Sequence, residues 1–227
     1  MKKLASVLSA TCLCMCCCLL PVPLLAEAPM VKRQAGFYRL MVGDFEVTAL
    51  SDGTNPMPAL KLLHGDPTRI AEALKRNFLG EQVETSHNSF LVNTGTKLVL
   101  IDAGAGKLLG PATGDLLNNL RAAGYRPEEV DEIYLTHMHV DHVGGQIASG
   151  QLAFPNAIVR VDKREADYWL NEANMRAAPA EAKRFFDGAK VSVTPYMQAG
   201  KVKMFEGDTE ADVGAGKAVG RVPVGCG

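Results

Sequence analysis

The segment Thr136-His137-Met138-His139-Val140-Asp141-His142-Val143-Gly144-Gly145 concentrates the residue types that bind divalent metals. Three of the chain's five histidines lie in it. Alternate residues of an extended segment face the same way, so His137 and His139 aim at one ion from one side of the loop. Asp141 and His142 come where the chain turns, and Gly144-Gly145 lets it turn tightly. These two face a second position nearby. Neutral imidazole and carboxylate suit zinc and similar borderline ions. Met138 and Val140 alternate to the other side and pack inward. The competing reading is a set of surface or satisfied core histidines, which leaves a cluster of titratable groups directly after a buried strand without a role. The chemistry on offer is metal-dependent hydrolysis.

The elements that must position this loop are strands first and strand–helix alternation later. Phe37–Val42 and Phe45–Leu50 read as strands joined by a Gly43-Asp44 turn, with Ser51-Asp52-Gly53-Thr54 ending the second. Asp66-Pro67 starts a helix, a cap residue followed by proline at the first helical position. Ser89–Val92 and Lys97–Ile101 form a second hairpin. Leu98-Val99-Leu100-Ile101 is apolar throughout, so both its faces are buried. A helix spans about Gly114–Ala123. The strand Glu132–Thr136 runs straight into the histidine loop. Ala157–Val161 is a strand, and Asp162 with Glu165 forms a capping box for a helix to about Asn171. A helix over Pro179–Phe186 and a short strand over Lys201–Phe205 follow. The order predicts an α/β protein with a mixed sheet.

His-x-His-x-Asp-His after a strand resembles the signature of the metallo-β-lactamase fold. The likeness extends from about Gly36 to Thr209. Its specific blocks are Gly36–Gly53, Leu91-Val92-Asn93-Thr94-Gly95, Gln151–Ala157 and Glu165–Leu170, which look like methyl parathion hydrolase and related organophosphate hydrolases and lactonases. The resemblance implies an αββα sandwich with a two-metal site, zinc above all, at one edge of the paired sheets. It implies hydrolysis of a phosphotriester, lactone or similar small-molecule ester by a metal-bridging hydroxide. On that mapping His137 and His139 bind one metal, and Asp141 and His142 the other. Asp141 also accepts a proton from the nucleophilic water. Asp102 supports the ligands from behind, with a structural turn as the alternative. Leu109, Trp169 and Phe185 fall where these relatives place apolar pocket walls, with plain core packing as the alternative. His64 and His87 match no ligand position and read as ordinary loop residues.

The sequence departs from this family after Glu210. The third histidine, bridging aspartate and last histidine of the relatives have no counterpart, since no histidine follows His142. Residues 211–227 are glycine-rich and patternless. A shifted reading frame near Glu210 is one explanation and a natural tail the other. The expected consequences are an incomplete domain over residues 37–210, an exposed apolar sheet face, weak metal binding and little hydrolysis. Asp208, Asp212 or Cys226 could lend a ligand, but their spacing gives no reason to expect it. A non-catalytic metal- or partner-binding remnant is the alternative function, and a homodimer that completes the sandwich a weaker one.

The beginning of the chain has its own pattern. Lys2-Lys3, the apolar run Leu4–Leu20, Pro21 and Pro23, then Ala26-Glu27-Ala28 give the layout of a secretory signal peptide over residues 1–26. A membrane anchor is the competing reading, and it reaches a spanning length of roughly 20 residues only by including the prolines. Five of the six cysteines lie in this segment, where thiols serve as small apolar side chains. Only Cys226 remains after its removal, so no internal disulfide is expected. Residues 27–36 read as a flexible lead-in, and the mature protein as periplasmic or secreted. A formal net charge of −1 over 227 residues, without basic runs, gives no sign of a nucleic-acid partner.

Overall fold

The computed structural model describes residues 34–206 together with the short strands at 211–212 and 217–218. The signal peptide expected over residues 1–26, most of the lead-in, Asp208, and most of the tail with Cys226 lie outside the described residues.

In chain order, β1 (Phe37–Val42) and β2 (Phe45–Pro58) form the first hairpin, and α1 (Ala59–Leu62) and α2 (Pro67–Arg76) connect it to β3 (Gln82–Asn93) and β4 (Leu98–Ile101). Then come α3 (Leu116–Ala122), β5 (Glu132–Tyr134), α4 (Val140–Val143) and a ribbon of β6 (Ile147–Ala148) with β7 (Gln151–Leu152). The order closes with β8 (Ile158–Asp162), α5 (Lys163–Trp169), α6 (Glu172–Ala177), α7 (Lys183–Gln198) and β9 (Val202–Phe205). A further ribbon, β10 (Ala211–Asp212) with β11 (Lys217–Ala218), falls in the tail, whose sequence predicts no regular structure.

The main sheet has the order β1-β2-β3-β4-β5-β8-β9. Pairing is antiparallel from β1 to β4 and parallel from β4 to β9, the mixed sheet expected from hairpins followed by strand–helix units. One face carries Leu50, Leu91, Leu100, Ile133, Val159 and Val161 into a core shared with Leu116 and Leu120 of α3, Trp169 of α5, and Phe186, Val193 and Tyr196 of α7. Burying each large side chain of that set contributes roughly 1.5–3 kcal/mol. Val99 and Leu100 are adjacent and both buried, so β4 is covered on both faces as its composition requires. The opposite face carries, in one register row, Tyr38, Ala49, Phe90, Ile101, Tyr134, Arg160 and Lys203. Tyr38 and Phe90 of that row are exposed, as are Leu40 and Val42 beside them. Among the described residues this face is open and apolar at β1–β3, whereas Val99 of β4 is buried on it and β5, β8 and β9 line it with Glu132, Arg160 and Lys203.

Several boundaries differ from the sequence reading for physical reasons. Ser51-Asp52-Gly53 does not end β2. It forms a bulge where the register with β3 shifts, Gly53 takes φ +135°, and the strand continues to Pro58. Asp52 turns inward there, and its buried carboxylate accepts hydrogen bonds from the backbone N–H groups of Ala105 and Leu116. β3 begins seven residues earlier than expected, because its first half alternates polar side chains and carries no apolar period. α7 runs well past Phe186. Its buried residues Phe186, Ala189, Val193 and Tyr196 keep the helical period through Gly188 and Pro195, which read as breakers. Asp162 caps α5 through Arg164 N–H, but Glu165 does not complete a capping box.

Candidate metal centre

β4 and β5 are parallel neighbours, and both end at the same edge of the sheet. Open α/β sheets bind ligands beyond the carboxyl ends of such strands. After β5 the chain bends at Thr136, and from His139 it makes the single turn of α4. Met138 is fully buried on one side while His137 and His139 emerge on the other, as alternation predicts. Val140 and Val143 anchor α4 in the core. Gly144 and Gly145 are required by close approach. A Cβ on either would lie 2.1 Å from Ala105 O or 1.9 Å from Ala103 O. The loop after β4 is laced to this turn by Ala103 N–H to His142 O (2.7 Å) and Gly145 N–H to Gly104 O (3.0 Å).

Three imidazoles converge. The ring centroids of His137 and His142 are 3.9 Å apart and those of His137 and His139 4.7 Å apart. Asp141 Oδ2 lies 3.3 Å from His142 Nε2. Asp102 sits behind them in a left-handed conformation, φ +59°, which aspartate tolerates better than most residues. Its Oδ1 accepts Thr136 N–H at 2.8 Å, and its Oδ2 accepts Thr136 Oγ1–H at 2.7 Å. The same Oδ2 meets His142 Nδ1 at 2.7 Å. A carboxylate on the far nitrogen of an imidazole fixes its tautomer and aims the near nitrogen, the arrangement that orients metal-binding histidines. Asp102 therefore bridges His142 and Thr136 and holds the turn between them.

The electrostatics divide the ligands. Burial, with the positive charges of His142 and His139 adding to it, lowers the His137 pKa to about 4. Burial lowers His139 as well. Both are neutral at pH 7, the form that ligates metals. Burial also disfavours the charged forms of Asp141 and His142, but hydrogen bonding outweighs it: the His142 bond for Asp141, and for His142 the Asp102 bond first and the Asp141 bond second. Asp141 falls to about 2 and His142 rises to about 9. His142 thus holds a proton between two carboxylates, and an arriving cation must displace it. Among the described residues no three His, Cys, Asp or Glu side chains already close on one point as a finished metal cage. The chemistry of the donor set nevertheless fits a divalent borderline ion: two neutral imidazoles, a carboxylate, and a third imidazole backed by a carboxylate.

Two of the three apolar side chains named above lie against the loop. Trp169 packs edge-on against His139 at 5.0 Å, and Phe185 lies 5.2 Å from the same ring. Leu109 lines a different cleft of about 290 Å³, with Val140, Arg184, Gly188 and Val191. His64 is an exposed loop residue, in line with its sequence reading. His87 corrects its reading. It lies inside β3 and is buried, with Nε2 bonded to Asn55 Oδ1 and Nδ1 3.5 Å from Asp141 Oδ2. Glu165 does not act as the helix cap its spacing suggests. It accepts Met138 N–H at 2.9 Å and the indole Nε1–H of Trp169 at 3.0 Å. It ties the aromatic wall to the histidine loop. The signal for it is present in the sequence as the spacing Glu165–Trp169, one helical turn.

Comparison with known proteins bears on the family and the fold. The sequence profile of the Metallo-beta-lactamase superfamily matches residues 83–224. The crystal structure of hydrolase AbOPH of the beta lactamase superfamily is 38% identical, with a TM-score of 0.73 over 79% of this chain and 64% of its own. AidC, a dizinc quorum-quenching lactonase solved with a product, N-hexnoyl-L-homoserine, is 29% identical, with a TM-score of 0.68 over 75% of this chain and 61% of its own. The exodeoxyribonuclease WalJ of Streptococcus pneumoniae serotype 2 is 31% identical over 128 residues, 56% of this chain and 40% of WalJ. The chain therefore spans less than two thirds of the length of each of these relatives.

Proposed function

Because this chain belongs to the metallo-beta-lactamase superfamily of hydrolases, we propose that its histidine loop holds two divalent ions, zinc above all, and serves hydrolysis of a lactone, phosphotriester or similar ester. The observation that carries the reading is the convergence of His137, His139, Asp141 and His142 at the ends of β4 and β5, with Asp102 behind His142. Two such ions supply an acidified water, polarisation of the ester oxygen and an in-line hold on the leaving group. His137 and His139 contribute neutral nitrogen ligands. Asp141 and His142 face the second position, and Asp141 is the group that takes the proton from the attacking water. Trp169 and Phe185 exclude water on the His139 side and offer an apolar wall to the substrate.

The lactonase likeness favours a lactone within this class. The same chemistry cleaves a phosphodiester, and the nuclease likeness makes DNA the comparison substrate. The histidine loop supplies two protein ligands at each position, whereas a catalytic zinc keeps about three. Hydrolysis by this chain alone is accordingly expected to be slow. The test is turnover of an acyl-homoserine lactone, an aryl phosphotriester and single-stranded DNA by metal-free and zinc-loaded protein. Zinc-dependent lactone turnover abolished in His137→Ala supports the reading. DNA cleavage without ester turnover would replace it with a nuclease. Export is part of the proposal and rests on the pattern of residues 1–26. N-terminal sequencing of protein recovered from the periplasm checks it, with a new terminus near Glu27 as the expected result.

A further inference from the structure

We propose that His87 is a protein ligand to the divalent ion held by Asp141 and His142. The inference rests on the metal-loop reading above and extends it to a residue outside the loop.

His87 lies on the inward face of β3, its side chain only 5% exposed. Its ring nitrogens have different surroundings. Nε2 meets the carbonyl oxygen Oδ1 of Asn55 on the neighbouring strand, an acceptor, so the ring proton sits on Nε2. The other nitrogen, Nδ1, faces Asp141 Oδ2 at 3.5 Å. His142 repeats the pattern from the other side. Its Nδ1 is held by Asp102, and its Nε2 points at the same Asp141 Oδ2 from 3.3 Å. Both imidazoles are fixed at their far nitrogen, by an amide oxygen in one case and a carboxylate in the other, and both turn their near nitrogen to one carboxylate oxygen. That is how ligating histidines are oriented by their outer partners.

The spacing agrees. With zinc–nitrogen bonds of about 2.0–2.1 Å and zinc–oxygen bonds of about 2.0–2.2 Å, neighbouring donors of a tetrahedral site stand about 3.3–3.5 Å apart. The two measured edges, 3.3 and 3.5 Å, fall on that value. Among the described residues the donors do not close on one point, so ion binding at this position requires the side chains to rotate. His87 thereby supplies a third protein ligand at the position for which the loop offers two. At His87 the strand β3 pairs with Gly53 of β2, and Asn55 of the same strand holds the ring from its far nitrogen.

The experiment is titration of the full, metal-stripped chain with cobalt(II) alone and then zinc(II) alone, for wild type and His87→Ala. The wild type is expected to take two ions per chain. His87→Ala is expected to weaken one of the two at least about tenfold and leave the other unchanged. Histidine side-chain ¹⁵N spectra of the wild type give a readout that needs no variant: zinc should move the His87 Nδ1 resonance and leave Nε2 protonated. Two ions bound with an unmoved His87 Nδ1 overturn this inference and leave the metal-loop reading intact. Wild-type affinity for both ions in His87→Ala overturns it in the same way. A wild type that binds no ion overturns both. If His87→Ala fails to fold, the ¹⁵N spectra decide alone.

Discussion

Replacing Asp102 by asparagine separates the electronic role of this carboxylate from its structural one. Asparagine keeps the shape and tolerates φ +59° as well as aspartate does. Its carbonyl still accepts Thr136 N–H, the 2.8 Å bond to Oδ1. The amide nitrogen then occupies the place of Oδ2, facing Thr136 Oγ1 and His142 Nδ1, each 2.7 Å away in the native chain. In the neutral ring that ligates, His142 Nδ1 must now accept, which puts the one ring proton on Nε2, the nitrogen aimed at Asp141 and the ion. A charge-assisted hydrogen bond is worth about 1.5–3 kcal/mol, but these three belong to one network and do not add. Truncation to alanine is expected to cost about 2–4 kcal/mol. Asparagine keeps most of the contacts and should cost about 1 kcal/mol, a fall in melting temperature of about 2–4 °C for a chain of this size. Zinc affinity should nevertheless drop about 10–100-fold, because the tautomer is wrong. Competition with a chromophoric chelator measures the affinity, and thermal melting of the metal-free protein measures the stability. A zinc Kd within about threefold of wild type, with normal melting, refutes the argument that Asp102 sets the His142 tautomer.

Glu132 binds Lys97, Arg160 and Tyr134 on the face of the sheet opposite the core, and those bonds more than offset the effect of burial, holding its pKa below the usual glutamate value. A depressed carboxylate stabilises the fold above its unfolded pKa and loses that contribution as pH falls through the folded value. Glu132→Gln should therefore melt lower at pH 7, by about 1–3 kcal/mol after allowance for partly exposed partners, and converge on wild type as pH falls through the folded carboxylate's pKa; a gap that stays constant through the acid range contradicts this. Gly188→Ala places a Cβ 2.2 Å from Val140 Cγ1, where α7 crosses α4, and overpacking of this kind costs about 1–3 kcal/mol. Unchanged melting would show that α4 yields freely, and with it Asp141. Zinc at about 100 times its Kd should raise stability by about 2.7 kcal/mol, or about 5–11 °C in melting temperature, and a chelator should reverse it. A calorimetric scan indifferent to zinc rules out a folded-state metal site.

The parts legible in the sequence are those with a local code. The histidine loop, the apolar β4 and the Asp66-Pro67 helix start are each specified by neighbouring residues, and each stands where its sequence places it. Asp52-Gly53 misleads because a turn and a bulge share one composition, and only the partner strand decides between them. β3 reads short because Glu84, Ser86 and Asn88 show no apolar period, and its first half is defined by pairing with the end of β2. That shortening hides His87. As part of a loop it has no direction, whereas in a strand paired with β2 it is turned inward beside Asn55, 32 positions away. Glu165 likewise fits a local motif, while its partners, Met138 and Trp169, are one distant and one near. Supporting contacts between segments far apart in the chain are what a single sequence does not display.

Trp169 is the chain's one tryptophan, and its indole stands edge-on to His139 while bonded to Glu165. Indole emission is sensitive to charge on a neighbouring imidazole and to any ion that imidazole binds. The protein therefore carries its own optical probe, 5.0 Å from a ligand ring and free of competing signals from other tryptophans. Steady-state fluorescence reports events at the first metal position, whereas the position of Asp141 and His142 lies out of direct contact with the indole. A two-ion titration followed by this one fluorophore should show a single quenching step, so the order in which the positions fill can be read from whether that step comes first or second.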